Sequence, residues 1–114
     1  MLNVNARPTF SRTIFEGTPN SFTAVFRARS ATEIAAFDHA TVDGQVGLLR
    51  DVIVGLDDVT DEAAGSPLPL ATALPAALDL VHVRLALYRA FFEGLGDKSL
   101  GNFDGPPERG SGAA

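Results

Sequence analysis

Two histidines, His39 and His82, supply all the imidazole in this 114-residue chain, which has no cysteine. Thiolate nucleophiles, thiolate metal sites and disulfides are thereby excluded. Neither histidine has a second one a helical turn away, the spacing that a helical metal site needs. A lone histidine near a helix end reads as a cap or surface residue, and His39 is placed where an imidazolium would meet a helix dipole. The run Asp57, Asp58, Asp61 and Glu62 gathers carboxylates in one short stretch. A calcium loop needs ligands at alternate positions, a central glycine and a closing glutamate, and this run is spaced differently. General acid–base work would require one of these carboxyls to be buried and shifted in pKa, whereas a run among turn formers is expected to be solvated. Ser11, Ser21, Ser30, Ser66, Ser99 and Ser111 form no Gly-x-Ser-x-Gly elbow, and Gly94-Leu95-Gly96 lacks the third glycine and the lysine of a phosphate loop. The residue types point to a protein that is not an enzyme and needs no cofactor or metal.

Composition narrows the class further. A chain of this length fits one domain and buries roughly 65% of its unfolded surface, enough for a core without staples. Hydrophobic residues make up 46% and charged residues 20%, a balance that suits a globular chain and argues against wholesale disorder. The formal net charge of -5 runs against a nucleic-acid binder, which needs a basic face to displace phosphate counterions. Arg27 and Arg29 form the single local basic pair and would share one strand face, expected to be solvated. No stretch approaches the ~20 apolar residues of a membrane span, and MLNVNARPTF lacks the pattern of a signal peptide, so the expected location is the cytoplasm.

The elements that would position any site follow from periodicity. Thr9 to Ser30 alternates with a period near two around the turn formers Glu16-Gly17-Thr18-Pro19-Asn20, which predicts a β-hairpin. Phe22, Ala24, Phe26 and Ala28 share one side, and a lone hairpin must pack that side on something else. Ser30-Ala31-Thr32-Glu33 has the form of a capping box and predicts a helix of about three turns beginning there. Val42, Val46, Leu49, Ile53 and Leu56 step by four, three, four and three, predicting one continuous helix. Gly44 and Gly47 weaken that helix by about 1 kcal/mol each and allow a neighbour close approach. Pro67 and Pro69 hold Gly65 to Leu70 extended, and a short helix restarts at Thr72 with Pro75 in its first turn. A final helix from about Val81 carries the stripe Val81, Leu85, Tyr88, Phe92 and Leu95, flanked by Arg84, Leu87 and Phe91, and stops at Gly94 or Gly96. Residues 101–114 are Gly, Pro, Ser and charge, and read as a flexible tail. The expected fold is a single mainly helical α+β domain over residues 1–100: an N-terminal β-hairpin, then about four α-helices.

Three segments of the chain resemble the tail assembly chaperones of siphophages. Phe22-Thr23-Ala24-Val25-Phe26-Arg27-Ala28-Arg29-Ser30-Ala31-Thr32-Glu33-Ile34 resembles the family's opening, a strand of phenylalanines and arginines running into a helix. Val54-Gly55-Leu56-Asp57-Asp58-Val59-Thr60-Asp61-Glu62 with Pro67-Leu68-Pro69-Leu70 is similar to its acidic turn and proline-rich restart. Val83 to Leu95, followed by Lys98 and Asn102, resembles its closing helix. Leu56, where an aromatic is expected, and the inserted Ala63-Ala64 depart from the pattern. The resemblance implies a chaperone that binds and solubilises the tape measure protein in the host cytoplasm while the tail tube polymerises, and that is absent from the mature virion. It also implies a homo-oligomer, and a longer product of programmed frameshifting, with its junction after Asn102, that recruits tail tube protein. No nucleic acid and no membrane enters this picture.

The physical reading adds where a partner would bind. Tyr88, Phe91, Phe92 and Leu95 make the last helix apolar over a wider arc than one packing partner needs, which suits capture of an amphipathic helix in a groove. The same residues would equally fill the domain's own core between the hairpin and the Val42–Leu56 segment. Two other functional readings fit the chain: a head–tail joining or tail-completion protein of a tailed phage, and a small acidic protein-binding regulator.

Overall fold

In a computed structural model, residues 1–62 and 65–97 are described. They form an α+β fold in the order β1 (Thr9–Ile14), β2 (Phe22–Arg27), α1 (Ala31–Ala35), α2 (Val42–Val52), β3 (Ile53–Asp57), α3 (Leu70–Leu78) and α4 (Val81–Leu95). The expected hairpin is present: β1 and β2 are antiparallel with Phe10 opposite Phe26 and Ile14 opposite Phe22. Phe22, Ala24, Phe26 and Ala28 all face inward, as the period of two requires. Phe15 and Gly17 carry the turn with positive φ of 55° and 83°. The expected tail at 101–114 and the inserted Ala63-Ala64 lie outside the described residues.

Three elements differ from the periodicity. The helix after Ser30 has one turn rather than three, although its capping box forms in full: Ser30 Oγ accepts from the Glu33 amide and Glu33 accepts from the Ser30 amide. The segment Val42–Leu56 is two elements. Its helix ends at Val52, and Ile53–Asp57 becomes β3, pairing antiparallel with β2 to give the order β1-β2-β3. A two-stranded hairpin would have left the outer edge of β2 with unpaired amides and carbonyls, and β3 satisfies them. Val25 lies opposite Gly55 but Phe26 lies opposite Ile53, so Val54 is an extra residue in a bulge that restores Ile53 and Leu56 to the buried face. In the third case α3 starts at Leu70, two residues earlier than expected, which places Pro75 in the helix interior instead of its first turn.

The helices cover one face of the sheet. Phe10, Phe26 and Phe91 stack there with centroids 5.4, 6.2 and 5.7 Å apart, surrounded by Leu48, Leu49, Val52 and Leu87. The ring of Phe10 lies so close to Gly94 that a Cβ on that glycine would collide with it. The glycines of α2 have a comparable role: a Cβ on Gly44 would strike the Asp38 carbonyl, and one on Gly47 would lie 3.2 Å from the Phe37 ring. α3 and α4 then turn through 106° at Asp79-Leu80. Among the described residues no single helix is long and apolar enough to cross a membrane.

Candidate partner-binding surface

α4 is apolar around most of its circumference, and the sheet selects which side it takes. Val83, Leu87, Ala90, Phe91 and Gly94 turn inward. One turn round, Val81 is 59% exposed, Leu85 48% and Phe92 37%, with Tyr88 half-buried between them and Leu80 exposed just before the helix. The four residues expected to meet a partner are therefore divided. Phe91 belongs to the interior, fully covered by Phe10 and Phe26. Leu95 and Tyr88 are half-buried and pack against the core, and Phe92 reaches the surface. Val81 and Leu85, which the periodicity put in the same stripe, are its most open members. At 100° per residue Phe91 and Phe92 point to different sides, and sequence alone did not say which side the sheet would cover.

The stripe borders a polar seam between α4 and the α1–α2 corner. The His39 Nε2–H donates to the Ile34 carbonyl at 2.9 Å, leaving Nδ1 to accept from the Tyr88 hydroxyl. The His39 ring also packs edge-on against Tyr88 and Phe92. Burial holds the Tyr88 phenol above its ordinary pKa. Gln45 donates to the His39 carbonyl at 2.9 Å and accepts from Arg84 Nε at 3.3 Å. The helix expected to reach His39 ends at Ala35, so His39 lies beyond it and works as a tie between α1 and α4. No sequence signal identified that role, because its partner lies 49 residues away.

The basic pair on β2 and beyond it is neutralised within the fold. Asp51 accepts two hydrogen bonds from Arg29 at 2.8 Å, and its backbone carbonyl accepts one from Arg27 at 2.7 Å. Glu33 adds Arg7 at 2.8 Å and Arg29 at 3.6 Å. The expected solvated face is in fact an ion-paired patch. The amide of Ser30 and the Arg7 guanidinium hold the Glu33 carboxyl down to about 2.

A cavity of about 360 Å³ opens between the hairpin turn, the segment after β3 and the α3–α4 corner. Phe22, Leu68 and Val83 line it, with Asp58 and Asp61 among its polar groups and His82 stacked on Phe15 at 5.9 Å. Asp57, Asp58, Asp61 and Glu62 are all solvent-exposed. Among the described residues no three His, Asp or Glu side chains converge as metal ligands would. The arrangement offers contact surface: an apolar stripe about 16 Å long, taking 1.5 Å per residue from Val81 to Phe92. Comparison with protein-family models, with curated proteins and with solved structures finds no match to the chain.

Proposed function

We propose that this chain is a non-enzymatic tail assembly chaperone of a siphophage, which binds the tape measure protein and keeps it soluble while the tail tube forms. The observation that supports this reading most directly is the outward row of Val81, Leu85 and Phe92 on α4. Exposed apolar side chains are ordinary singly, but a row at helical spacing is the complement of an amphipathic helix. A tape measure protein supplies such helices in large number. The proposal includes assembly of the chaperone with itself around its client, and a longer frameshifted product that recruits tail tube protein.

Co-expression tests it. The wild-type chain is expected to raise the soluble fraction of a tape measure protein and to copurify with it. A Leu85→Gln/Phe92→Gln double variant is expected to lose both effects while its helical circular dichroism persists. Undiminished copurification of the double variant would overturn the assignment of this face. A head–tail joining or tail-completion subunit would persist in purified particles, so mass spectrometry of virions separates that reading from a chaperone, which leaves.

A further inference from the structure

Arg84 is only 8% exposed, the most buried charged residue among those described. Arg7, Arg12, Arg27 and Arg29 each have a carboxylate within 4.0 Å, yet Arg84 has none among the described residues. Its Nε–H donates to a neutral acceptor, Gln45 Oε1, and its terminal nitrogens make no bond there. Those nitrogens are not completely sealed, since Arg27 Nε is the one described side-chain polar atom both sealed and unpaired. Desolvating a guanidinium without a counter-ion is costly, and an aliphatic side chain of similar length would fill the same space more cheaply. Arg84 sits one helical turn from both Val81 and Tyr88 and borders the exposed stripe on the side where Gln45 holds it.

We infer that Arg84 is the anionic anchor point of this surface. The occupant it selects is an amphipathic helix of a partner protein carrying an Asp or Glu among its apolar residues. Apolar contact with Val81, Leu85 and Phe92 would seat the helix. Its carboxylate would take one N–H from each of the two terminal nitrogens, which Gln45 leaves unused, in the bidentate geometry a guanidinium favours. Binding would then replace water on a guanidinium that folding has already stripped of most of its solvent, which favours the charged partner over a neutral one. The hydrogen bond from Gln45 fixes the fork, since Gln45 is itself held by the His39 carbonyl. This inference rests on the helix-binding role proposed above and specifies which helices are taken.

The probe is a pair of synthetic helices of roughly 20 residues, ~30 Å at 1.5 Å per residue and longer than the stripe. Both have a leucine face in an Ala/Gln background, one with Glu at the centre of that face and the other with Gln. Titrated with the full chain and followed by fluorescence anisotropy, the Glu helix is expected to bind roughly tenfold tighter, as a charge-assisted pair replacing a neutral one predicts. Arg84→Met should remove that preference, and Arg84→Lys should retain part of it. Equal binding of the two helices, with both lost in Leu85→Gln/Phe92→Gln, would overturn the anionic anchor and leave helix binding standing. No binding of either helix would remove both. A homodimer that Arg84→Met dissolves would make a second copy of the chain the occupant, and would also overturn the proposal.

Discussion

Phe91 and Phe92 are adjacent phenylalanines whose truncation should have very different consequences. Phe91 is fully buried and contacts the rings of Phe10 and Phe26 from below the sheet. Its replacement by alanine removes the ring's transfer free energy and leaves a cavity that the sheet cannot close, which together cost about 3–5 kcal/mol. Phe92 is 37% exposed, so about 63% of it is covered, by His39, Tyr88 and Phe91. Scaling a full burial of about 1.5–3 kcal/mol by that fraction gives roughly 1–2 kcal/mol, with no cavity cost because the site opens to water. At about 4–5 °C per kcal/mol for a domain of this size, Phe91→Ala should lower Tm by about 12–25 °C and Phe92→Ala by less than about 10 °C. Urea titrations followed by circular dichroism and thermal melts measure both. Equal losses, or a Phe91→Ala variant within about 1 kcal/mol of wild type, would refute the assignment of the two sides of α4.

Two further outcomes follow from the packing and the charges. Gly94→Ala gains about 1 kcal/mol of helix propensity, but its Cβ meets the Phe10 ring, and overpacking costs about 1–3 kcal/mol; the variant should be destabilised in a urea titration, and a stabilised one would show that the Phe10 ring yields freely. Glu33 has a folded pKa lowered from 4.5 to about 2, so its contribution is present above pH 4.5 and lost as pH falls toward 2. Glu33→Gln should flatten that limb of the stability profile, and an unchanged acid limb in the variant would contradict the pairing with Ser30 and Arg7.

The strand pair, the capping box and the glycine contacts of α2 were legible because each depends on neighbours in the chain. A period of two over Phe22 to Ala28 can be satisfied only by one buried face. Ser30 and Glu33 complete a cap within four residues. β3 was not legible as a strand, because Val42, Val46, Leu49, Ile53 and Leu56 satisfy a helical period throughout. The decisive demand came from elsewhere: β2 needed a partner for its free edge. A local cue was present in Val52-Ile53-Val54, three successive β-branched residues followed by Gly55, a run that favours strand over helix. The tie from His39 to Tyr88 was illegible for the same reason as β3, since it joins segments that only the fold brings together.

The exposed stripe on α4 can be understood from what the sheet is able to cover. Three strands of five or six residues give a small face, and α3 and α4 cross it at a steep angle to each other. One side of α4 is therefore enough to close the core, with Phe91 and Leu87 as its contribution. A helix serving stability alone would carry polar residues on the opposite side, where solvent meets it. Instead α4 keeps Val81, Leu85 and Phe92 there, and the α1–α2 corner holds Tyr88 and Arg84 beside them through His39 and Gln45. Fixing a side chain at a surface costs conformational freedom that folding does not need to spend there. A rigid apolar row beside an oriented guanidinium would recover that cost when a helix docks, since less ordering then remains to oppose binding.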